Sequence, residues 1–480
     1  MRLTTLLRDS RALAALAVPL VLTQLAQVAL TTTDTVMMGM LGAAELAAGG
    51  LAIVIFNQLR TMGVGLVTSV GNQVAAAAAR SETHAAGTEG HTTSGVPQVR
   101  EETGKDTVAA IVRASMVVAT LAGMAGAVLM LLIGGLLPFL GQEGAVAEHA
   151  QDMLLALAPG LLPCLWFQAI RQFTVGMRRP QALLRITLAS VAVNAGINWV
   201  LIHGTWGVPE LGLPGIGVAT SLVHLLSFAA LYLSTRRDPT LAPLTSLNIA
   251  KADRDTVQRL VRLGIPTAAT YGSEAGFFSV TTLMVGSFGS AALAAHTAVN
   301  QLVYIVFQVA VGLSHAASIN VSRELAQDRP AAALRIKNTA LACAAAVMSL
   351  VAVLYTAAPE LVLAPFFDAG AARNSEAVSI ATHLLLVTMV LQFFDCAQNI
   401  GVGLLRGLDD TKSGFRITLI GYWAVGLPSA ALLGHAAGLD TLGIWLGLLI
   451  GLATTAILLL RRYSSALRTR FAVTELAPAT

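Results

Sequence analysis

Charged residues are scarce in this 480-residue chain. Only 12% of its residues are Asp, Glu, Lys or Arg, whereas 55% are hydrophobic, and the mean hydropathy is +0.72. An average soluble domain carries roughly 25% charged residues. This number of charged residues is too small to cover the surface of a soluble protein of this size. The composition therefore excludes a soluble protein and indicates an integral membrane protein surrounded by lipid.

Cysteine is also rare. The three cysteines, Cys164, Cys343 and Cys396, each lie in an apolar stretch. An odd number without paired spacing argues against a disulfide framework and a metal cluster. The histidines are isolated, so the sequence offers no arrangement of nucleophile and base and no metal-ligand set for an enzyme. We therefore expect no cofactor and no catalytic site.

Apolar segments long enough to cross a bilayer recur along the whole chain. A helix of roughly 20 residues spans the hydrocarbon core, and a window of about 19 residues finds such segments. The sequence predicts an all-α protein with twelve transmembrane helices, at 13–38, 46–70, 113–137, 152–175, 183–203, 213–233, 263–286, 292–320, 338–358, 378–404, 414–434 and 441–460.

The basic residues predict the orientation of these helices. With the N-terminus inside, all of the 30 Lys and Arg residues except Arg60 and Arg373 fall on the cytoplasmic side or at its helix ends. Cytoplasmic loops carry such an excess, so we expect both termini in the cytoplasm. The net charge of +4 then reflects topology and not nucleic-acid binding. High Ala and Gly content without a targeting peptide suggests a bacterial plasma (inner) membrane protein, which we expect to be monomeric.

The polar segments divide the chain into domains. Residues 1–233 are predicted to form one six-helix bundle, 263–460 a second, and 461–480 a cytoplasmic tail. The segment 234–262 is predicted to be a cytoplasmic linker. Residues 81–106 lack an apolar period and are rich in Gly, Thr, Glu and His, which predicts a mobile cytoplasmic loop.

The two predicted bundles are internal repeats. Residues 16–74 and 263–321 match at 15 of 59 positions without a gap, and Pro19 aligns with Pro266. Because six spans separate the copies, the repeats are parallel and are related by an axis along the membrane normal. The alignment places Gln27 opposite Glu274 and Asp34 opposite Thr281. The two repeats therefore carry their acidic residues at different positions.

Three acids lie inside predicted spans: Asp34, Glu274 and Asp395. An ionised side chain at the centre of a membrane helix costs on the order of 2.5–3.5 kcal/mol, so such acids are functional candidates. A carboxyl group that lies away from water can exchange a proton, or Na⁺ held with other oxygen ligands, for a cationic substrate. Arg60 is the one base in mid-span, and the sequence leaves open whether it pairs with an acid, faces a cavity or extends towards an interface.

Polar residues accompany the acids at helical spacing, which places them on shared faces. Gln27 shares a face with Asp34, Tyr271 with Glu274, and the fifth span carries Asn194 and Asn198. Interhelical hydrogen bonding is the alternative role for such residues. The predicted supporting residues are Asn194, Asn198, Gln27, Gln392 and Asn399, and the predicted substrate-cavity residues are Tyr271, Gln301 and Tyr304.

Several short motifs occur in an order that resembles one family. They are Leu16–Pro19 (LAVP), Asp34–Gly39 (DTVMMG), Gly217–Thr220 (GVAT), Ala294–His296 (AAH), Leu405–Gly407 (LRG), Tyr422–Trp423 (YW) and Gly426–Pro428 (GLP). The chain is similar over nearly its whole length to multidrug and toxic compound extrusion (MATE) transporters of the NorM branch. The resemblance implies the MATE fold, with Asp34, Glu274 and Asp395 as ion-coupling carboxylates and with Asn194 and Asn198 beside the first of them.

The resemblance further implies an antiporter that exports lipophilic organic cations, such as drugs or dyes, in exchange for H⁺ or Na⁺. A possible Na⁺ site would use Glu274 and Asp395. A flippase for lipid-linked precursors is the alternative within the same superfamily, although it should present basic residues to a pyrophosphate, and the sequence offers only Arg60.

Overall fold

The computed structural model describes residues 3–88, 97–140, 144–246, 248–367 and 376–476, and no strand occurs within these ranges. The architecture is therefore all-α, as the sequence predicts. Twelve long helices follow one another: α1 (Leu3–Leu41), α2 (Ala43–Thr88), α3 (Pro97–Leu136), α4 (Gly144–Gly176), α5 (Gln181–His203), α6 (Gly212–Arg237), α7 (Arg254–Gly286), α8 (Ser290–Ala326), α9 (Pro330–Ala357), α10 (Glu376–Gly407), α11 (Thr411–Ala436) and α12 (Asp440–Leu476).

Eleven of these helices are long and apolar enough to cross a membrane, as judged over the described ranges. The remaining one is α7, which has 33 residues and is therefore also long enough. Its lower apolar content follows from the polar residues Thr267, Tyr271 and Glu274 within the predicted span. The helices agree with the prediction of a multi-pass membrane protein with twelve spans.

The chain forms two compact units. The N-terminal unit comprises Leu22–Ala269, and the C-terminal unit comprises the chain up to Val21 together with the chain from Thr270 onward. The division falls inside α1 and α7, soon after Pro19 and Pro266, each of which removes one backbone hydrogen bond from its helix. Compared with the predicted bundles 1–233 and 263–460, the units exchange the first parts of these two helices, and the predicted linker 234–262 belongs to the N-terminal unit.

Small residues allow helices to pack closely within each unit. In the N-terminal unit, a Cβ atom on Gly65 of α2 would lie 2.6 Å from the Cα atom of Ala268 on α7. In the C-terminal unit, a Cβ atom on Gly403 of α10 would lie 2.5 Å from the backbone oxygen of Ser314 on α8. Both distances are shorter than van der Waals contact, so glycine is required at these crossings, as is common in membrane helix packing.

Each unit has an apolar interior and an apolar exterior. Met38, Phe56 and Met153 are buried together in the N-terminal unit, and Phe277 and Trp445 are buried together in the C-terminal unit. Large apolar side chains also point outwards, for example Val54, Leu283, Leu350 and Phe139. This outward apolar surface is what a lipid environment accommodates and water does not.

The segment 81–106 differs from the predicted mobile loop. Helix α2 continues to Thr88 and α3 begins at Pro97, so the helical part of this segment is longer than predicted, and residues 89–96 lie outside the described ranges. The end of α2 and the beginning of α3 pack against each other, and a Cβ atom on Gly104 would lie 2.6 Å from the Cβ atom of Ser81. The prediction of a loop relied on the absence of hydrophobic periodicity in this segment. Polar residues with high helix propensity nevertheless continue a helix after it leaves the bilayer.

The connection between the repeats is also shorter than the predicted linker 234–262. Helix α6 ends at Arg237 and α7 begins at Arg254, so the ends of the predicted linker belong to these helices. Asp253 precedes α7 and accepts hydrogen bonds from the backbone N–H of Thr256 at 2.9 Å and from its hydroxyl at 2.7 Å. These bonds satisfy a free N–H at the helix start and determine where the helix begins.

Candidate functional sites

The first site surrounds Asp34 in the N-terminal unit. The Oδ1 atom of Asp34 accepts hydrogen bonds from the amide nitrogens of Asn194 at 2.6 Å and Asn198 at 2.8 Å, and Thr220 donates to Oδ2 at 3.1 Å. Asp34 is 4% exposed, and neither asparagine is exposed to solvent. The structure thus brings together the acid and the two asparagines that the family resemblance placed beside it.

Helical spacing explains the contact. Asn194 and Asn198 are four residues apart on α5, so both side chains point from the same face towards α1. Three donors converge on a group that has no hydrogen to donate when ionised, so the arrangement fits the carboxylate form of Asp34. The carbonyl oxygens of both asparagine side chains are buried and have no hydrogen-bond partner among the described residues.

A cavity opens beside Asp34, and all of its lining residues belong to the N-terminal unit. Its polar lining includes Gln27, Thr31, Asn57, Arg60, Gln168, Thr187, Ser190, Thr220, His224 and Ser227, and its apolar lining includes Phe56 and Phe167. A concave site that combines apolar side chains with converging polar groups is typical of small-molecule binding sites.

Arg60 lines this cavity together with Asp34. Its Nε atom donates to the side-chain oxygen of Asn57 at 3.2 Å, and Arg60 forms no ion pair with an acid in the described ranges. Of the three roles that the sequence left open, the geometry therefore favours a side chain that faces the cavity.

The second site lies in the C-terminal unit. Glu274 on α7 and Asp395 on α10 are 8% and 3% exposed, and they are linked by Gln398. The amide nitrogen of Gln398 donates to Glu274 Oε1 at 2.7 Å and to Asp395 Oδ1 at 3.3 Å. Asn399 donates to the same Asp395 oxygen at 3.2 Å. The two acids that the sequence assigned to one bundle therefore belong to one hydrogen-bonded group.

Tyr422 completes this group. Its hydroxyl donates to the side-chain oxygen of Gln398 at 2.7 Å, which orients the amide so that its nitrogen faces the two carboxylates. Tyr422 lies in the segment Ile420–Gly426 of α11, where the backbone adopts the wider π-helical turn. Such turns change the direction of the side chains that follow them and are frequent at functional positions.

Three of these residues were missed by the sequence analysis. Thr220 and Tyr422 stood within the family-like motifs but had no assigned role, and Gln398 had no assigned role. The spacing of Gln398 three residues after Asp395 was the available signal, because side chains three apart share a helix face.

Other predicted residues lie elsewhere in the C-terminal unit. Gln392 donates to the hydroxyl of Tyr355 at 3.3 Å and not to an acid. Tyr271 accepts a hydrogen bond of 2.9 Å from Arg406. Tyr304 is 44% exposed and stacks on Phe307, and Gln301 is half-buried on the same helix. The substrate-cavity role of these residues remains a prediction.

The fold and these sites define a class of protein before any comparison is made. The chain has many membrane-length helices that form two compact units. It also has three buried carboxylates, each of which is hydrogen-bonded to amide or hydroxyl groups. These are features of a secondary transporter. Among the described residues, no group of three or more His, Cys, Asp or Glu is placed to hold a metal ion.

The MatE family model matches residues 103–200 and 266–432. A probable multidrug resistance protein NorM from Pseudomonas aeruginosa is 35% identical over 450 residues, which cover 94% of this chain and 88% of that protein. A protein of the same description from Bradyrhizobium diazoefficiens is 34% identical and covers 93% and 91%. The chain belongs to the MatE family. The resemblance found in the sequence motifs is confirmed.

The fold agrees with that membership. The crystal structure of the eukaryotic MATE transporter AtDTX14 has a TM-score of 0.78 with this chain, at 19% identity, and the match covers 97% of this chain and 99% of that one. The predicted MATE fold is confirmed. Because the family consists of transporters, the prediction that the chain is not an enzyme is confirmed as well.

Proposed function

We propose that this protein is a multidrug efflux antiporter that exports lipophilic organic cations in exchange for H⁺ or Na⁺ by alternating access. The relatives named multidrug resistance proteins support the efflux part of this proposal. The exchange of a coupling ion is supported by the surroundings of the three buried acids. In the described ranges, none of Asp34, Glu274 and Asp395 forms an ion pair with Lys or Arg.

A buried carboxylate without a basic partner is costly unless a cation or a proton neutralises it. In the proposed cycle, the coupling ion occupies Glu274 and Asp395, and a proton or the two asparagines satisfy Asp34. Loading weakens the attraction for the cationic drug, which leaves the protein on the outer side. Release of the ion restores the negative charge that attracts the next drug molecule.

Glu274 and Asp395 also supply oxygen atoms of the kind that Na⁺ prefers, and the side chains of Asn399 and Tyr422 could add further oxygen ligands. In the present geometry the nitrogen of Gln398 points at both acids, so Na⁺ binding requires this amide to rotate or withdraw. Proton binding requires no such change. The arrangement of Gln398 therefore favours H⁺ as the coupling ion in this conformation.

The basic residues support an orientation with both termini in the cytoplasm of a bacterial inner membrane. In this orientation the polar ends of α2 and α3 and the Asp253 cap of α7 lie inside the cell. Labelling of single introduced cysteines by a membrane-impermeant reagent tests the orientation. Reaction at position 185 in intact cells would overturn it.

The decisive test is efflux of a fluorescent lipophilic cation from proteoliposomes, with a pH gradient or a Na⁺ gradient imposed separately. We expect one gradient to drive efflux by the parent protein and Asp395→Asn to abolish it. Gln392→Asn, on the same helix but bonded to Tyr355, is the matched control. Failure of the parent under both gradients, together with movement of a labelled lipid precursor, would favour a flippase.

A further inference from the structure

Three basic side chains of the C-terminal unit lie where helices α9 and α12 leave the predicted bilayer core. Lys337 on α9 donates a hydrogen bond from its Nζ atom to the hydroxyl oxygen of Ser464 on α12 at 3.1 Å, so the two helices meet at this level. Arg461 and Arg468 lie three residues before and four residues after Ser464, so they share its helix face. Both predicted spans end here, at the depth where lipid headgroups lie.

These positive charges are not neutralised by the described part of the chain. Helix α9 contains no Asp or Glu, and α12 carries acids only at its first residue and in its last turn. Within the described ranges Arg462 forms an ion pair with Asp410 at 2.8 Å, whereas Lys337, Arg461 and Arg468 form none. The charge of Arg468 also acts on Lys337. Because like charges repel, a bound anion stabilises this end of the two helices.

Lys337 is positioned to bind such an anion. Its side chain is half-buried, and the hydroxyl of Ser464 donates its own hydrogen to the backbone oxygen of Leu460 at 2.9 Å. Ser464 is therefore an acceptor towards Lys337 and holds its ammonium group in place. An ammonium group has three hydrogens, and this bond uses one of them. The others can be donated to a ligand that carries oxygen atoms and negative charge.

The equivalent helices of the N-terminal repeat are covered by the chain itself. Helices α3 and α6 correspond to α9 and α12, and the short helix Ala242–Leu244 packs against both α3 and α6. Arg236 in the last turn of α6 donates to the backbone oxygen of Thr245 at 3.3 Å, next to this short helix. Helix α12 instead continues to Leu476, and the described part of the chain has no such segment after it.

We propose that Lys337, Arg461 and Arg468 bind the phosphate of an anionic phospholipid at the ends of α9 and α12. Towards the bilayer centre, α12 exposes the apolar side chains of Ile457, one turn before Arg461, and Ile450. Acyl chains lie along this surface while the phosphate lies at the basic residues, which selects a lipid over a soluble phosphate. In the proposed orientation the lipid belongs to the inner leaflet, where basic pockets between membrane helices bind anionic headgroups.

The test measures lipid binding to the purified full-length protein in detergent by native mass spectrometry. It compares phosphatidylglycerol, which is anionic, with phosphatidylcholine of the same acyl chains, which is zwitterionic. We expect the parent to prefer phosphatidylglycerol, and Lys337→Met or Arg468→Met to weaken binding of this lipid by about five-fold. Lys337→Arg should retain most of the affinity, because it keeps the positive charge.

Arg185→Met is the matched control, because it removes one exposed positive charge at the start of α5 in the N-terminal unit. It should leave phosphatidylglycerol binding unchanged, and thermal unfolding without added lipid shows that each variant is folded. Equal losses for Arg185→Met and Lys337→Met, or equal binding of both lipids by the parent, would overturn the proposal. An equal affinity for the soluble headgroup glycerophosphoglycerol would do the same, because the site would then take a free phosphodiester and not a lipid.

Discussion

The amide nitrogen of Gln398 lies 2.7 Å from the Oε1 atom of Glu274 and bonds to it across two helices. The second hydrogen of the same nitrogen is directed to Asp395, 3.3 Å away. One amide therefore serves two buried carboxylates, and any ion or proton that binds one of them changes the hydrogen bond that the other receives. Gln398 is thus the hydrogen-bond donor that the two acids share.

Replacement of Gln398 by Leu should uncouple the pair. The change removes a donor from each carboxylate, and a hydrogen bond to a charged group contributes about 1.5–3 kcal/mol. We expect gradient-driven efflux to fall by about ten-fold or more, with a larger effect on the ion concentration at half-maximal rate than on thermal stability. Flux measured against ion concentration in proteoliposomes checks this.

The control for that experiment is Gln392→Leu. Gln392 is the same residue type on the same helix and is 2% exposed, but it bonds to Tyr355. It should lower stability without changing the ion dependence. If the two variants alter the ion dependence equally, then Gln398 has no specific role in coupling.

Tyr422→Phe tests the orientation of the Gln398 amide. The change removes the 2.7 Å hydrogen bond to the side-chain oxygen of Gln398 and keeps the ring, which stacks on Phe277 at a centroid distance of 5.0 Å. Without this bond the amide is free to turn its oxygen towards the acids, which suits Na⁺ better than the nitrogen does. We expect relative activation by Na⁺ to increase. A preference between H⁺ and Na⁺ equal to that of the parent would contradict this account.

The sequence singles out the three acids as candidates because the cost of a carboxylate in lipid is a property of the residue itself. Asp34, Glu274 and Asp395 are conspicuous in apolar spans, and the spacing of Asn194 and Asn198 places both on one helix face. Contacts between residues on different helices are harder to predict. That Gln398 reaches Glu274 depends on the rotation and depth of α10 beside α7, which periodicity within one helix does not specify.

Local backbone geometry accounts for the other differences. The π-helical turns that contain Tyr422 have the same apolar composition as a regular helix, so no sequence pattern predicts them. The ends of α2 and α3 extend beyond the predicted spans because hydropathy reports the thickness of the bilayer and not the length of the helix. In this chain, residue type therefore indicates the buried polar positions more directly than hydropathy indicates where each helix ends.

Close helix packing predicts a difference between two glycines. Gly65→Ala places a methyl group 2.6 Å from the Cα atom of Ala268, a backbone atom that cannot rotate away, whereas a Cβ atom on Gly196 meets no atom within 4 Å. We expect Gly65→Ala to destabilise the protein by about 1–3 kcal/mol and Gly196→Ala to stabilise it by up to about 1 kcal/mol. Thermal unfolding in detergent measures both, and equal midpoints would refute the predicted packing.

The start of α7 gives a prediction about pH outside the membrane. Hydrogen bonds from the hydroxyl and then the N–H of Thr256 hold the pKa of Asp253 below its ordinary value. A lowered pKa in the folded state means that the ionised cap stabilises the helix start above the ordinary Asp pKa, and this contribution is lost as pH falls through the lowered value. Asp253→Ala should therefore speed amide exchange at residues 254–257 at neutral pH, and the difference from the parent should vanish in acid. Asp255→Ala, which leaves the cap in place, is the control.

The environment of Asp34 gives the last prediction. Asn198→Leu removes the 2.8 Å hydrogen bond to Asp34 Oδ1 and leaves those from Asn194 and Thr220. The ionised form of Asp34 then accepts two hydrogen bonds in place of three. Its carboxylate is therefore less stabilised and less firmly positioned for contact with a cationic group in the cavity. We expect drug efflux to fall by about ten-fold.

Ion binding at Glu274 and Asp395 should be unchanged in Asn198→Leu, because those acids belong to the other unit. Thr187→Val provides the comparison, since the Thr187 hydroxyl on the same helix donates to the backbone oxygen of Leu183 at 2.9 Å. Efflux and ion uptake measured on the same proteoliposomes distinguish the two units. A parallel loss of both activities would mean that Asp34 belongs to the ion-coupling group itself, and full efflux would mean that the asparagines serve only helix packing.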